Sequence, residues 1–207
     1  MGFTLWFTGL SGAGKSTLSR KVFYELRRRG LAAELLDGDI IRGNFGQELG
    51  FSKRDRDINV RRIGFVSHLL NKHGVISVVA AIAPYRDARQ ANRRLLEDYV
   101  EAYVNCPLMV VEKRDPKGLY ARARAGNIPS FTGVSDPYEA PETPEIEVHT
   151  DRETVEDSYR RIITVLEASG RIAPGANRAL QSDAEEEDAV WRSRLADLGF
   201  ADGCLKS

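Results

Sequence analysis

The sequence predicts an α/β fold in which a parallel five-stranded sheet lies between two layers of helices. Short apolar segments alternate with segments of helical periodicity along residues 3–168, which favours parallel strands joined by crossover helices. The segment VISVVAAI at 75–82 is apolar on both faces, as expected for a central strand covered on both sides. The chain has 207 residues, enough for one domain of this kind with an appendage.

Apolar runs and helical periodicity predict the individual elements. The strands are expected at 3–8, 32–36, 75–82, near 100–104 and 146–149, with a further β segment at 110–112. The helices are expected at about 15–29, 57–72, 87–97 and 150–168, the last opened by the capping box Thr150-Asp151-Arg152-Glu153. Their buried faces are predicted from apolar residues three or four apart: Leu18, Val22 and Leu26; Ile63, Val66, Leu69 and Leu70; Val155, Tyr159, Ile162 and Leu166.

Two segments differ from this pattern. Residues 113–145 are polar and rich in Gly, Pro, Arg and Lys, which is typical of a disordered segment or of a functional lid. From Gly170 a Gly/Pro/Asn connector leads to a second capping box at 182–185 and a predicted helix that ends near Leu198. We therefore expect a domain at 1–169, with a mobile lid at about 113–135, and a C-terminal helical extension at 170–207.

Composition limits the location and the partners. Lys plus Arg and Asp plus Glu each number 30, so the net charge is zero and favours neither nucleic acid nor an anionic membrane as a partner. The longest apolar run, 75–83, is too short to span a bilayer, and the N-terminus lacks a signal-peptide pattern. With two distant cysteines, Cys106 and Cys204, a reducing compartment is expected. These observations predict a cytoplasmic protein.

A phosphate-binding loop is the strongest motif in the chain. The segment GLSGAGKS at 9–16 satisfies G-x-x-x-x-G-K-[ST] between a predicted strand and a predicted helix, which is the context that the motif requires. Such a loop turns backbone N–H groups towards phosphate oxygens at a helix N-terminus. Lys15 is expected to reach the β- and γ-phosphates, and Ser16 to offer its hydroxyl to Mg²⁺. The residues predicted to bind ATP here are Gly12, Ala13, Gly14, Lys15, Ser16 and Thr17.

The remaining motifs favour a kinase among the proteins that carry this loop. No guanine-reading Asn/Thr-Lys-x-Asp motif is present, and the central strand ends at 81–84 (AIAP) without an acidic residue. The best candidate for the missing carboxylate is Asp39 in the DGD segment at 37–39, because ligands bind at the carboxyl ends of such strands. Asp39 would orient or deprotonate an acceptor hydroxyl, or hold Mg²⁺ through water. A plain turn formed by DGD is equally compatible with the local sequence.

Arginines and an aromatic residue follow Asp39. Arg42, the segment LGFS at 49–52 and the segment DRDINVRR at 55–62 suit an anionic ligand that contains a base, since guanidinium groups bind phosphate or sulfate and a ring stacks on a base. A solvated helix start with one buried Phe is the alternative interpretation.

With these blocks in view, the chain resembles the adenylylsulfate kinases (APS kinases), a family of P-loop kinases with a three-layer fold. The resemblance covers about residues 1–168. The matching blocks, in order, are GLSGAGKST at 9–17, DGDIIR at 37–42, LGFS at 49–52, DRDINVRR at 55–62, PYRDAR at 84–89, EKRDPKGLYARARAG at 112–126, FTG at 131–133 and DPYEAPETPE at 136–145.

The resemblance implies an activity and a set of site residues. The family transfers the γ-phosphate of ATP, with Mg²⁺, to the 3′-hydroxyl of adenosine 5′-phosphosulfate (APS) and forms PAPS for sulfate assimilation. Arg122 and Arg124 would be available to ATP, and Lys15 and Asp39 would be catalytic, with Ser16 and Asp39 near the metal. The residues implied to contact APS are Asp39, Arg42, Phe51, Arg56, Asn59, Ile82, Ala83, Lys117 and Phe131, with Phe51 and Phe131 on either side of its adenine. A homodimer is expected, and an ATP sulfurylase is a candidate partner.

Two departures from the family pattern keep other functions open. The family often has Ser-Pro where this chain has Ala83-Pro84, and that serine has been assigned as a phospho-acceptor, so transfer here has to be direct. The family's Asp-Gly-Asp-Asn becomes DGDI, with Ile40 in place of the amide. A related kinase for another small hydroxyl compound, and a nucleotide-binding regulatory module without catalysis, are the alternatives.

Overall fold

A single parallel sheet forms the centre of the molecule. The structure, a computed structural model, describes residues 2–175, and within this range five strands lie in the order β2-β3-β1-β4-β5. All neighbouring strands are parallel. The strands are β1 (Thr4–Thr8), β2 (Ala33–Asp37), β3 (Ile76–Ala80), β4 (Tyr99–Asn105) and β5 (Ile146–His149). The predicted five-stranded parallel sheet is confirmed.

Helices cover both faces of the sheet. They are α1 (Lys15–Arg28), α2 (Gly38–Phe45), α3 (Lys53–Lys72), α4 (Arg86–Leu95), α5 (Leu108–Arg114), α6 (Leu119–Arg124) and α7 (Val155–Ala168). In the central strand β1, Leu5 and Phe7 pack against α1 and α7, whereas Trp6 points to the opposite face and joins the core under α3. Because successive strand residues alternate in direction, β1 contributes to two separate cores.

Two predicted core residues lie at the surface. Leu69 of α3 is 44% exposed and Val155 at the start of α7 is 48% exposed. The other residues of those apolar faces pack inward, among them Ile63 and Leu166, which are fully buried. Leu69 lies at the margin of its helical stripe, and Val155 is the first residue of α7; at such positions periodicity alone does not separate core from surface.

The β segment predicted at 110–112 is wrong. Residues 108–114 form α5, and the amides of Val110 and Val111 both donate to the carbonyl of Pro107. A short apolar run does not distinguish a strand from one or two helical turns. Here Pro107, at the position before the first helical residue, favours the helix.

The helix predicted from Thr150 begins five residues later. Thr154 caps α7, accepting from the amide of Asp157, and the Asp157 carboxylate completes the capping box. Both TDRE and TVED fit the capping pattern. The hydroxyl of Thr150 instead donates to the carbonyl of Ala13 at 2.7 Å, so that residue supports the glycine-rich loop.

The segment 113–135, called the lid segment below, contains a short helix that the sequence did not predict. Asp115 accepts hydrogen bonds from the amides of Tyr120 and Ala121 and so fixes the start of α6. The helix predicted at 182–198 lies outside the described residues. Within residues 2–175 no helix is both long and apolar enough to cross a membrane.

Candidate active site

The carboxyl ends of the strands form the edge on which the site is built. In a parallel sheet all of these ends lie together, and ligands bind in the crevice outside them. The loops that leave β1, β2 and β3 there line one cavity of about 400 Å³, which the lid segment covers. The cavity therefore brings together the motifs that the sequence spreads over 120 residues.

The glycine-rich loop runs from the end of β1 to the start of α1. Gly9 has φ +147°, and a Cβ there would lie 2.4 Å from the carbonyl oxygen of Val104. Gly14, with φ +104°, directly precedes the first helical residue, Lys15. The first amides of α1 have no partner within the helix, and they lie at this edge of the sheet. The loop thus has the backbone form and the helix dipole that attract phosphate.

Lys15 lies beneath this loop. Its side chain is only 9% exposed, and Nζ donates to the carbonyl of Leu10 at 2.7 Å. Burial lowers the pKa of Lys15 to about 8, and the negative charges of Asp39 and Asp37 partly oppose that shift. The ammonium group is therefore held at the phosphate loop at a cost in solvation, which an anionic ligand would offset.

This shift predicts the pH dependence of nucleotide binding. Since only the charged ammonium attracts phosphate, the affinity for an ATP analogue should fall as pH rises through about 8, where the free site loses its proton. We expect binding roughly tenfold weaker at pH 9 than at pH 7, because each pH unit above the pKa removes about a factor of ten of charged sites. Calorimetric titrations at pH 7, 8 and 9 measure this. A Lys15→Met variant should bind weakly with no such slope, and an equal slope in that variant would contradict the assignment to Lys15.

Ser16 faces the carboxylate of Asp37, in a segment whose local sequence is also compatible with a plain turn. The Ser16 hydroxyl donates to Oδ2 of Asp37 at 3.1 Å, and Oδ1 of Asp37 accepts from the amide of Asp39. A hydroxyl beside a carboxylate suits Mg²⁺, which prefers hard oxygen ligands and retains several waters. Within residues 2–175 no group of three or more His, Cys, Asp or Glu side chains is placed to hold a metal ion.

Asp39 faces the lid segment across the cavity. Its Oδ2 lies 3.0 Å from Nζ of Lys117, and both side chains line the cavity. Asp39 lies in the first turn of α2, directly after Gly38, where a Cβ would lie 2.9 Å from that of Ala81. The glycine therefore permits the close approach of α2 to the end of β3, which places Asp39 at the phosphate end of the cavity.

Aromatic and basic side chains form another part of the cavity wall. The ring of Phe51 is half exposed, with the guanidinium groups of Arg42 and Arg56 at 4.4 and 5.6 Å from its centre. Arg56 donates to the carbonyls of Phe51 and Ser130, at 2.9 and 2.5 Å. Burial lowers the pKa of Arg56, and the negative charge of Asp136 opposes this lowering. Arg56 thereby joins the loop of Phe51 to the lid segment.

Phe131 lies in the same wall as Tyr120. Its ring meets that of Tyr120 edge-on, with the ring centres 5.0 Å apart, and both residues line the cavity. The hydroxyl of Tyr120 donates to the carbonyl of Ser11 at 2.9 Å, which ties the lid segment to the phosphate loop. The structure thus places Phe51 and Phe131 in one cavity with the phosphate loop.

Most of the predicted site residues line this cavity. Those that do are Gly12, Gly14, Lys15, Ser16, Thr17, Asp39, Arg42, Phe51, Arg56, Asn59, Ile82, Ala83, Lys117 and Phe131. Ala13 is fully buried and is not part of the wall. Arg122 and Arg124 also lie outside it, and Arg124 pairs with Glu112 at 2.5 Å.

Sequence reasoning missed several residues of the wall: Arg20, Asp37, Asp115, Pro116, Tyr120 and Thr132. Arg20 follows Ser16 by one helical turn, so the helical period could have identified it. Thr132 adjoins Phe131, and its buried hydroxyl has no hydrogen-bond partner among the described residues. No local pattern identifies Asp115, Pro116 and Tyr120, because only the folded lid segment brings them to the cavity, and Asp37 is recognised only through its contact with Ser16.

Comparisons with known proteins agree with this geometry. The profile of the adenylylsulphate kinase family matches residues 1–149. An adenylyl-sulfate kinase from Picosynechococcus sp. is 55% identical over 173 residues, which cover 84% of this chain and 98% of the relative. Among solved structures, the APS kinase CysC of Mycobacterium tuberculosis in complex with AMPPNP and APS is 41% identical, with a TM-score of 0.77 over 80% of this chain and 98% of that one.

Two similar proteins are longer than this chain. A probable bifunctional SAT/APS kinase 2 from Sorangium cellulosum is 50% identical over 83% of this chain, which corresponds to 29% of the relative. A hexameric APS kinase from Thiobacillus denitrificans is 39% identical with a TM-score of 0.64 over 83% of this chain and 30% of that one. The family match over more than half of the chain, together with relatives of this identity, shows that the chain belongs to the adenylylsulfate kinase family.

Proposed function

We propose that this protein transfers the γ-phosphate of ATP to the 3′-hydroxyl of APS and releases PAPS and ADP. One observation carries the proposal: a single cavity is lined by a phosphate loop, by the aromatic rings of Phe51 and Phe131 with Arg42 and Arg56, and by Asp39, which contacts Lys117 of the lid segment. Such a cavity suits two nucleotides that meet at their phosphate and hydroxyl groups. The family relationship supports APS as the acceptor.

Phosphoryl transfer at this site depends on positioning and on charge neutralisation. The loop amides and Lys15 hold the phosphates of ATP, and the 3′-hydroxyl of APS donates its proton to Asp39 as its oxygen approaches the γ-phosphorus. Magnesium, when bound with ATP, neutralises charge on the β- and γ-phosphates. Ser16 is the residue that would hold it. Of the two acidic candidates we favour Asp37, because it contacts Ser16, whereas Asp39 pairs with Lys117.

The acceptor, APS, lies beside the aromatic rings of the cavity. Phe51 and Phe131 enclose its adenine, and Arg42, Arg56 and Asn59 hold its phosphosulfate group. The turn at Ile82 and Ala83 forms a further part of the wall, and Lys117 closes the cavity from the lid segment. Arg122 and Arg124 remain candidates for ATP, and lie on the lid segment outside the cavity wall.

Replacing Phe51 by alanine should weaken APS binding with little effect on folding. Stacking of a base on an aromatic ring contributes about 1–3 kcal/mol, so KM for APS should rise roughly fivefold to 150-fold. The ring is 50% exposed, so its loss removes little buried area. Steady-state kinetics with each substrate varied, together with a thermal melt, measure these effects. A matched Phe65→Ala variant, 56% exposed on α3 and outside the cavity wall, should leave KM for APS unchanged; equal effects of the two variants would contradict the stacking role.

Ala83 predicts transfer without a phosphorylated enzyme. Alanine has no hydroxyl to receive phosphate, so the γ-phosphate has to pass directly to the acceptor. After incubation with ATP and APS, intact-mass spectrometry should find no protein 80 Da heavier, about the mass that a phosphoryl group adds. A stoichiometric phosphoprotein that transfers its phosphate to APS would contradict direct transfer.

A coupled assay of ADP release tests the proposed function. The purified chain is given ATP and Mg²⁺ with APS, or with a panel of small alcohols and adenylates, and PAPS is identified by chromatography. We expect ADP release only with APS, at a rate equal to that of PAPS formation. Turnover with another acceptor alone would assign the related-kinase alternative, and ATP binding without turnover would assign the regulatory one.

The assembly and the location of the protein are predicted from the sequence and its family. Small-molecule substrates follow from the family, whereas the homodimer and an ATP sulfurylase partner stay predictions. The hexameric and bifunctional proteins above show that similar domains occur in larger assemblies. The cytoplasmic location, and the division into a domain at 1–169 and an extension at 170–207, also stay predictions.

A further inference from the structure

The turn that follows β3 is held by all three of its carbonyl groups. Thr8 Oγ1 donates to the carbonyl of Ile82 at 2.6 Å, and Arg89 Nη1 donates to that of Ala83 at 2.7 Å. The amide of Glu139 donates to the carbonyl of Pro84 at 2.8 Å. The turn itself lines the cavity, whereas Thr8 and Arg89 do not.

The backbone of this turn has a strained conformation that depends on contacts from outside the turn. Ala83 has φ +44°, in the left-handed region that a residue with a Cβ adopts at a cost. The proline that follows it further restricts the conformations open to Ala83. A residue of this kind keeps such a conformation only where its surroundings impose it. The three donors to the carbonyls are therefore the groups that determine the shape of this part of the wall.

Arg89 links the turn to the sheet and to the segment after the lid. The side chain is 3% exposed. Its Nη1 donates to the carbonyl of Ala83, and its Nη2 donates to the carbonyl of Glu139 at 2.6 Å. Its Nε lies 3.0 Å from Oε1 of Glu101 in β4, which is itself buried. The planar guanidinium group, with its fixed donor directions, thus joins three separate parts of the chain, a geometry that a lysine ammonium does not reproduce.

Thr8 holds the other side of the turn from the end of β1. Thr8 is fully buried, and its hydroxyl donates its single proton to the carbonyl of Ile82. In the hydrogen bond of 2.9 Å between the hydroxyls of Thr8 and Tyr138, the tyrosine is therefore the donor. Thr8 also directly precedes Gly9, the first residue of the phosphate loop. The Thr8 side chain therefore adds a direct link between the strand that leads into the phosphate loop and the turn after β3, beside the backbone hydrogen bond from Ala81 to Phe7.

We propose that Thr8 and Arg89 are positioning residues for the acceptor: they hold the Ile82–Pro84 turn in the strained conformation in which it forms the acceptor wall, without touching either substrate. This inference rests on the proposed function, because it takes APS as the occupant of that wall. It predicts that loss of either donor weakens the use of APS more than it weakens the binding of ATP.

The first test removes one hydroxyl group. Thr8→Val keeps the branched shape and loses the donor, whereas Thr8→Ser keeps the donor and loses a methyl group. For Thr8→Val we expect KM for APS to rise roughly tenfold, the scale of one lost hydrogen bond, because the acceptor wall loses one of the three donors to its carbonyl groups. The dissociation constant for an ATP analogue should stay within about twofold, and Thr8→Ser should retain the KM of the unaltered chain.

The second test uses the two arginines of α4. Arg89→Lys should raise KM for APS as Thr8→Val does. Arg93→Lys is the matched control, because Arg93 pairs with Glu101 and Glu145 but donates to no carbonyl of the turn, and it should leave KM unchanged. If Arg89→Lys does not fold, the Thr8 pair decides the matter alone.

The outcomes separate this inference from the proposed function. No PAPS from the unaltered chain would overturn the proposed function itself. PAPS from the unaltered chain, with an unchanged KM for APS in Thr8→Val, would overturn the positioning role. So would equal losses of APS and ATP binding, or an equal rise of KM in Thr8→Val and Thr8→Ser.

Discussion

Replacing Asp39 by asparagine should abolish most PAPS formation while ATP still binds. Asparagine keeps the size of the side chain but cannot accept the proton of the 3′-hydroxyl, and a positioned general base contributes about 10²- to 10⁴-fold to rate. We expect kcat to fall by that factor. Asp39 pairs with Lys117 at the surface, and an exposed pair of this kind contributes little to stability, so the melting temperature should change little.

Lys117→Met separates the carboxylate from the ion pair. It breaks the same contact with Asp39 but leaves the base in place, so its kcat should fall less than that of Asp39→Asn. PAPS formation by chromatography gives kcat, and calorimetry with an ATP analogue gives nucleotide affinity. Normal turnover of Asp39→Asn, or equal losses in the two variants, would remove Asp39 from the chemistry.

Lys15→Met should remove activity and stabilise the fold at the same time. The lowered pKa means that the charged ammonium is less favourable in the fold than in the unfolded chain, by roughly 3 kcal/mol for a shift from 10.5 to about 8. Methionine carries no charge into this buried position. Loss of the hydrogen bond to Leu10 offsets part of the gain, so we expect the melting temperature to rise by a few degrees at pH 7. PAPS formation should fall about a thousandfold or more, as for loss of a main transition-state contact.

The pH dependence of this stabilisation follows from the proton balance. Between pH 8 and 10.5 the unfolded chain binds the Lys15 proton and the folded chain does not, so stability of the unaltered protein rises with pH in that window. The gain in melting temperature of Lys15→Met over the unaltered chain should therefore be largest below pH 8 and decrease steadily as pH rises towards 10.5. Differential scanning fluorimetry across this range measures it. A difference that does not vary with pH would mean that packing, not charge, is responsible.

The parts predicted from sequence are those that depend on local patterns. The apolar segment at 75–82 is recognisable from its residues alone, because burial on both faces of a sheet restricts it to apolar residue types. The loop at 9–16 is likewise recognisable, because its turns require glycine at fixed positions. The topology of a parallel sheet predicts Asp39 at the ligand crevice, and the structure places it in the same cavity as that loop.

The missed features depend on contacts between distant segments. Asp37 looked like a turn residue because its partner, Ser16, is 21 positions away. The segment at 110–112 has residues of high β propensity, yet Pro107 and the packing of Val111 produce a helix. Arg89 lies in the segment PYRDAR at 84–89, to which the sequence assigns no function except through the family resemblance. Its three partners are brought to it only when the sheet and the segment after the lid fold.

The order of the strands has a consequence for synthesis of the chain on the ribosome. β1, which leads directly into the phosphate loop, has no neighbour close in sequence: Thr4 aligns with Ser77 on one side and with Tyr99 on the other. β1 therefore leaves the exit tunnel before either neighbouring strand, and its apolar side chains have no strand partner until the residues of β3 and β4 have been translated. Contacts of such long range form slowly and expose the nascent chain to aggregation.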